Sequence, residues 1–314
     1  MGRPFHRRRH RSTPQGQHVP VMLPEVLSTL QPKPGDIAVD CTLGFAGHSF
    51  ELLKRIGPDG KLFAFDLDAE NIESANAKLS ETGFSFQLTH GNFAGFPTAL
   101  EGREVDCLLA DLGMSSMQID DASRGFSYMR EGPLDMRMDR SRGKTAAQLL
   151  QTLDEEELAE MFLEIGDEPQ AAGIARAIIV RRQTEPFETT QDLRELILKA
   201  APVKILEDRK AGTARQQTFR PVARVFQTLR IVVNRELSNL QELLRVLPWT
   251  LKAGGRAAII SFHSGEDRLV KKAFKEGLER GEYSEICEEP LRPGLQERFD
   301  NPRSRSAKLR WAIK

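Results

Sequence analysis

Three cysteines in 314 residues, Cys41, Cys107 and Cys287, are too few and too scattered for a disulfide framework or a thiolate zinc site. No His/Cys cluster proposes a metal of any other kind. No apolar run approaches the roughly 20 residues that a membrane span needs. The basic N-terminus is followed by no apolar core, so a secretory signal is not expected and the cytoplasm is the expected address. A surplus of charge is missing too. Lys and Arg total 45 and Asp and Glu total 45, which excludes a uniformly cationic, histone-like binder but leaves room for a local basic patch. No internal repeat is visible. The remainder, 39% hydrophobic and 29% charged with 24 Gly and 17 Pro, reads as an ordinary globular chain of one large or two modest domains.

The segment 1–17 carries Arg3, Arg7, Arg8, Arg9 and Arg11 with no acidic residue and too few apolar residues for a core. It is expected to be a disordered basic tail able to seek phosphates. From Val21 onward short apolar runs alternate with helical patterns. Strands are predicted at Ile37–Val39, Leu62–Phe65, Phe84–Leu88, Val105–Ala110 and Ala257–Ser261, with helices over Ser49–Ile56 and Ala69–Leu79. That rhythm predicts an α/β fold with a doubly wound parallel sheet. Ala307, Leu309, Trp311 and Ile313 alternate with Lys308, Arg310 and Lys314, the pattern of an antiparallel edge strand with one wet face. Between about 126 and 221 only helical spacing is found, as in Leu158, Met161, Phe162 and Ile165. This predicts a helical insertion between the fourth and fifth strands. Phe226 to Leu247 then reads as one long amphipathic helix returning to the sheet.

The candidate chemistry sits at the strand ends. The first strand runs into Asp40-Cys41-Thr42-Leu43-Gly44-Phe45-Ala46-Gly47-His48. Its glycines permit a tight turn and close backbone approach to a nucleotide-like ligand. The spacing is neither G-x-G-x-x-G nor a P-loop, which disfavours dinucleotides and NTPs. Asp66, ending the second strand about twenty residues on, is suited to accept the hydroxyls of a ribose, with Asp68 free to cap the next helix. Phe93 follows the third strand and is either a core ring or a platform for a purine. Asp111 and Gln118 follow the fourth, over the crevice where doubly wound folds bind ligands. His263 closes the fifth strand without the partners of a hydrolytic triad.

Several segments together resemble the bacterial RsmH (MraW) family. They are His18-Val19-Pro20-Val21, Asp40–His48, Asp111–Asp120, Arg124-Gly125-Phe126-Ser127, Pro133-Leu134-Asp135-Met136-Arg137-Met138, Phe226–Ile231, Ser261–Lys271 and Asn301–Ala307. The resemblance implies a class I, Rossmann-like fold and an S-adenosylmethionine-dependent methyltransferase acting on N4 of cytidine 1402 in 16S rRNA. It divides the chain into a methyltransferase domain, 18–125 and 222–314, and a substrate-recognition insertion, 126–221. By resemblance the cofactor contacts fall on Ala46, Gly47, His48, Asp66, Phe93, Asp111 and Gln118. Acceptors for the amine proton are sought among Asp111, Ser115, Asp135 and His263, which spacing leaves open. The family usually has a glycine where this chain has Ala46 and a leucine where it has Gly265, and its usual lead-in to the long helix is altered at Phe219–Arg224.

Exocyclic amines are poor nucleophiles, so such a site must hold the nitrogen in line and accept its protons. The base must also reach a pocket, which implies single-stranded or flipped presentation. Arg292, Arg298, Arg303, Arg305, Lys308 and Arg310 crowd the C-terminal end and, with the N-terminal arginines, are expected to meet phosphates. Two alternatives remain. A DNA cytosine or adenine methyltransferase would show an S-P-P-[YW]-type tetrapeptide after the fourth strand, where this chain has Leu112-Gly113-Met114-Ser115. A non-catalytic rRNA-binding or ribosome assembly factor retaining the fold would fail to bind S-adenosylmethionine.

Overall fold

The computed structural model describes residues 20–202, 213 and 217–314; the basic segment 1–17 and the motif residues His18 and Val19 lie outside the described residues. The described residues form two compact units, one of those up to Gly113 with Leu243–Lys314, the other within Met114–Glu242.

The first unit is built on a seven-stranded sheet: β1 (Ile37–Asp40), β2 (Lys61–Asp66), β3 (Phe86–His90), β4 (Val105–Asp111), β5 (Leu251–Ser261), β6 (Glu285–Ile286) and β7 (Lys308–Ile313). Their spatial order is β3-β2-β1-β4-β5-β7-β6, parallel from β3 to β5, with β7 antiparallel to both β5 and β6. This is the doubly wound α/β arrangement expected, with the helical unit inserted in the chain between β4 and β5. The helices Gly47–Ile56 and Ala69–Ser80 make the crossovers from β1 to β2 and from β2 to β3. β1, β2 and β4 are nearly continuous apolar runs because parallel strands are covered on both faces. Ala38, Leu62, Ala64, Cys107, Leu109, Ala258, Ile260 and Leu309 share one buried cluster with Leu52, Leu53 and Ile56.

Three expectations are corrected here. β5 begins at Leu251, six residues before Ala257, because Gly254 and Gly255 lie inside the strand; its pairing with β4 shifts register between Val105 and Cys107. A Cβ on Gly255 would press on the carbonyls of Lys252 and Val105, so the irregularity requires glycine. β7 is not the edge, since β6 pairs outside it. Nor is its charged face wet. Arg310 is buried, its Nε donating to Asp267 Oδ1 at 2.7 Å, and Lys308 Nζ donates to Asp267 Oδ2 at 2.6 Å.

The second unit is helical: Ala146–Thr152, Glu155–Glu164, Ala171–Arg182, Thr190–Ala200 and Arg220–Val233. It is wider than 126–221, and the packing explains why. Val222, Val225, Phe226 and Leu229 are buried in the same cluster as Phe126, Leu158, Phe162, Ile174 and Leu193. The single long helix expected from Phe226 to Leu247 is two, Arg220–Val233 and Glu236–Thr250. The break lies at Asn234 and Arg235, the latter left-handed at φ 53°. Asn234 turns its side chain to another segment instead of continuing the helix: its Oδ1 accepts from Met138 N at 2.7 Å, and its Nδ2 donates to Met136 O at 2.8 Å.

Candidate active site

Three neighbouring strands of the sheet unit end on carboxylates, Asp40 on β1, Asp66 on β2 and Asp111 on β4. Asp40 is buried and engaged at both oxygens. Its Oδ2 accepts from Ser49 Oγ at 2.6 Å and its Oδ1 from Thr42 N at 3.0 Å. Thr42 Oγ1 in turn accepts from Asp111 N at 2.6 Å, tying the end of β1 to the end of β4. Asp40, Ser49 and Thr42 were not singled out from the sequence; the short Asp-x-Thr step after a strand was the available signal.

The loop from Gly44 to His48 is held tightly. Gly44 and Ala46 are both left-handed, at φ 49° and φ 55°. The alanine is thus strained where a glycine would not be, by about 1 kcal/mol. Gly47 opens the helix Gly47–Ile56, and a Cβ there would run into the ring of Pro20. His48 is buried, with Nε2 2.9 Å from Val21 O and Nδ1 3.7 Å from Asp111 Oδ2. Burial lowers its pKa despite the charge of Asp40. It is therefore a neutral ring beside the β4 carboxyl.

Asp66 is only partly free for a ribose. Oδ2 accepts from Gly44 N at 2.8 Å and from Asn71 Nδ2 at 3.1 Å, and Oδ1 accepts from Asp68 N at 2.8 Å. A carboxylate has about four acceptor positions, so roughly one remains. Burial pushes its pKa up to about 6, against the pull of these hydrogen bonds. Asp68 caps the next helix by accepting from Glu70 N at 3.2 Å. Phe93 is half-buried, while Phe96, three residues on, is fully buried.

Asp111 stands apart. Its Oδ1 is sealed from solvent yet finds no hydrogen-bond partner among the described residues. Burial raises its pKa well above the usual carboxylate range, and the charges of Asp40, Glu266 and Glu297 raise it further. Glu266 and Glu297 were missed in the sequence. Glu266 stands three residues after His263, the spacing of a capping box, and it is used as one: its Oε2 accepts from Phe262 N at 2.9 Å and His263 N at 3.3 Å. His263 is the N-cap of the helix Ser264–Glu279, its ring 3.1 Å from Glu266 Oε1. The sheet unit thus carries Ala46, Gly47, His48, Asp66, Phe93, Asp111 and His263 at or just after the ends of strands of one sheet, with His48 and Asp111 in direct proximity.

Ser115, Gln118 and Asp135 belong to the helical unit. Ser115 and Gln118 cap the helix Ser116–Asp120 reciprocally: Ser115 Oγ accepts from Gln118 N at 3.3 Å, and Gln118 Oε1 accepts from Ser115 N at 3.0 Å. Asp135 is clamped by Arg137, with Nε donating to Oδ1 at 2.8 Å and the terminal nitrogen to Oδ2 at 2.9 Å. Burial works to raise its pKa, but these bonds and the guanidinium charge hold it below the usual value. Both its oxygens are spent on an ion pair, which makes it a poor proton acceptor. The RGFS and PLDMRM motifs around it form a knot. Met136 N donates to Arg124 O at 3.0 Å, and Arg124 donates to Arg137 O at 3.3 Å and Met138 O at 2.9 Å. A Cβ on Gly125 would collide with Pro133 O and one on Gly132 with Ala122 O, so both glycines allow close backbone approach.

The sequence profile of the MraW methylase family matches residues 15–314. The chain is 43% identical over 308 residues to a relative named "Ribosomal RNA small subunit methyltransferase H 2" from Alkaliphilus metalliredigens, covering 96% of this chain and 87% of that one. It is 42% identical to "Ribosomal RNA small subunit methyltransferase H" of Acidobacterium capsulatum, covering 95% and 98%. With the protein of that name from Geobacter sp. it shares 43% identity, covering 93% and 97%. A match that spans both the sheet unit and the helical unit places the chain in the MraW methylase family, as an S-adenosylmethionine-dependent methyltransferase.

Proposed function

We propose that the protein methylates the small-subunit 16S rRNA, and specifically N4 of cytidine 1402, with S-adenosylmethionine as donor. The names of its relatives support the rRNA substrate. The observation that carries the chemistry is the buried, unpartnered Oδ1 of Asp111 at the end of β4. A buried acceptor without a donor is a standing penalty unless a ligand supplies one.

The residues present fit such a donor molecule. Asp66 keeps an acceptor position for a ribose hydroxyl, half-buried Phe93 offers a ring to a purine, and the Gly44–Gly47 turn allows the backbone close approach. When bound, S-adenosylmethionine supplies an electrophilic methyl on a cationic sulfur. The rest falls to the protein. Cytosine's exocyclic nitrogen has a lone pair delocalised into its ring, so it must be held in line by groups accepting from its N–H bonds. Among the four candidates, Ser115 and His263 are helix caps and Asp135 is clamped by Arg137, which leaves Asp111. Burial and its acidic neighbours keep Asp111 neutral in the absence of a cation. A positive ligand draws the carboxyl back toward its ionised form, which is the form able to take the proton that the amine loses. Asp40 and Thr42 act as positioning residues, since Thr42 Oγ1 holds the Asp111 amide.

The test is mass mapping of small-subunit rRNA from cells lacking the protein. We expect the N4-methyl mark on C1402 to disappear and to return when purified protein and S-adenosylmethionine are added to the undermethylated subunits. An undiminished mark would sink the assignment. Titration calorimetry showing no S-adenosylmethionine binding would favour a non-catalytic assembly factor.

A further inference from the structure

The short helix Leu295–Asp300 and the turn Pro302–Ser306 set exposed apolar side chains beside cations. Phe63, Phe65, Phe96 and Phe274 of that unit are fully buried, yet Phe299 is 71% exposed, and Leu295, one helical turn before it, is 84% exposed. Two of the surrounding cations, Arg298 and Arg305, are also unspent. Arg298 lies on the same helix, and the turn brings Arg305 onto it, its Nε donating to Arg298 O at 3.0 Å. Neither guanidinium has a carboxylate partner among the described residues, in contrast to Lys308 and Arg310, which Asp267 consumes. The acidic residues of the helix have other partners. Glu297 turns inward, its Oε1 accepting from Met22 N at 2.9 Å, and Asp300 accepts from Gln296 at 2.7 Å. Glu297 is also one of the charges felt by Asp111, so this helix borders the β4 end of the sheet unit.

An uncovered aromatic ring beside unpaired guanidinium groups matches the chemistry of single-stranded nucleic acid. Every base offers a face for stacking, and every phosphate attracts an arginine. A protein partner would also bury Phe299 and Leu295, but it would not require two unpaired cations alongside them. Resting on the rRNA reading above, we propose that Leu295, Phe299, Arg298 and Arg305 form the surface that holds the single-stranded RNA flanking the target base, with Phe299 stacking on a neighbouring base and the arginines on its phosphates.

The experiment compares the full-length protein with Phe299→Ala, Phe299→Trp and an Arg298→Ala/Arg305→Ala double variant. Three quantities are read: affinity for a labelled single-stranded decoding-region oligoribonucleotide, KM and kcat on undermethylated small subunits, and S-adenosylmethionine affinity as a check on folding. Phe299→Ala should weaken oligonucleotide binding and raise KM by about 5- to 100-fold, the range for losing one stacked base. Cofactor affinity should stay unchanged, and Phe299→Trp should restore binding. The double variant should reduce the salt dependence of binding by about two phosphate contacts. Unchanged oligonucleotide affinity in Phe299→Ala would overturn the proposal. So would a loss seen only on assembled subunits, which reassigns the face to a protein. Wild-type protein that methylates no small subunit sinks the rRNA reading itself, and this surface with it.

Discussion

The ends of the sheet strands and the loops of the helical unit handle buried charge in opposite ways. In the helical unit three such acidic side chains are paired: Asp135 with Arg137, Glu168 with Arg224, and Asp192 with Arg181 and Thr189. Asp135 and Asp192 sit below the usual carboxylate pKa as a result, because their hydrogen bonds and ion pairs outweigh burial. At the sheet tips Asp66, Asp111 and Glu297 are all pushed up, chiefly by burial, and Asp111 Oδ1 has no hydrogen-bond partner among the described residues. Full pairing rigidifies a unit; withheld pairing leaves free energy for a ligand to recover. The difference separates a scaffold from a site.

The largest effect that would break this contrast is expected from Asp111→Asn. Turnover on undermethylated subunits should fall by roughly 10²- to 10⁴-fold, the usual contribution of a positioned proton acceptor. Stability should move the other way. The folded-state pKa of Asp111 is raised, so the wild type loses stability as pH climbs above the unfolded carboxylate value toward the folded one. Asparagine suffers no such loss, and thermal melts at neutral pH without cofactor should show the variant as stable or more so. A fall in melting temperature that tracks the fall in activity would make Asp111 structural.

Asn234→Ala probes the opposite unit. It removes the bonds to Met138 N, Met136 O and Arg230 O and leaves the left-handed Met136 unsupported at φ 63°. Urea unfolding should register a loss of about 2–4 kcal/mol, with S-adenosylmethionine affinity unaltered. Intact stability would show that the PLDMRM knot does not depend on this strut.

Asp66 gives a smaller and pH-dependent effect. Asp66→Ala should weaken S-adenosylmethionine binding by about 10- to 100-fold, the worth of a hydrogen bond to a charged group. In the wild type, affinity should tighten as pH rises through about 6, where the carboxyl ionises and gains full accepting capacity, and level off above it. Calorimetry from pH 5 to 8 reads this directly. A flat profile in the wild type would remove Asp66 from the ribose contact.

The sheet was legible because parallel strands buried on both faces leave continuous apolar runs, and β1, β2 and β4 were placed within one or two residues. β6 was not, being two residues long, below the length at which alternation is visible. The long helix misled because Asn234 keeps apolar spacing on either side of a break that only its distant partners explain. The position of Asp111 was readable as a strand end, but its isolation was not, since an absent hydrogen bond depends on everything that folds around it. Asp135 shows the converse: its motif was conspicuous, while the clamp from Arg137, two residues away, needed the left-handed turn at Met136 to form.

The finest comparison lies within a single loop, between adjacent residues. Ala46 is left-handed and fully buried. Ala46→Gly relieves about 1 kcal/mol of backbone strain, but it gives up a buried methyl worth about 0.8 kcal/mol and adds flexibility to the unfolded chain. These effects nearly cancel, and the unfolding free energy should stay within about 0.5 kcal/mol of wild type. Gly47→Ala has no compensating relief. Its new Cβ meets Pro20 Cγ at 2.5 Å, an overpacking expected to cost about 1–3 kcal/mol and to weaken S-adenosylmethionine binding by displacing the turn. Denaturant titration of the two variants side by side separates them. Equal stability would mean that Pro20 yields freely and that the loop is not the tight cradle its contacts describe.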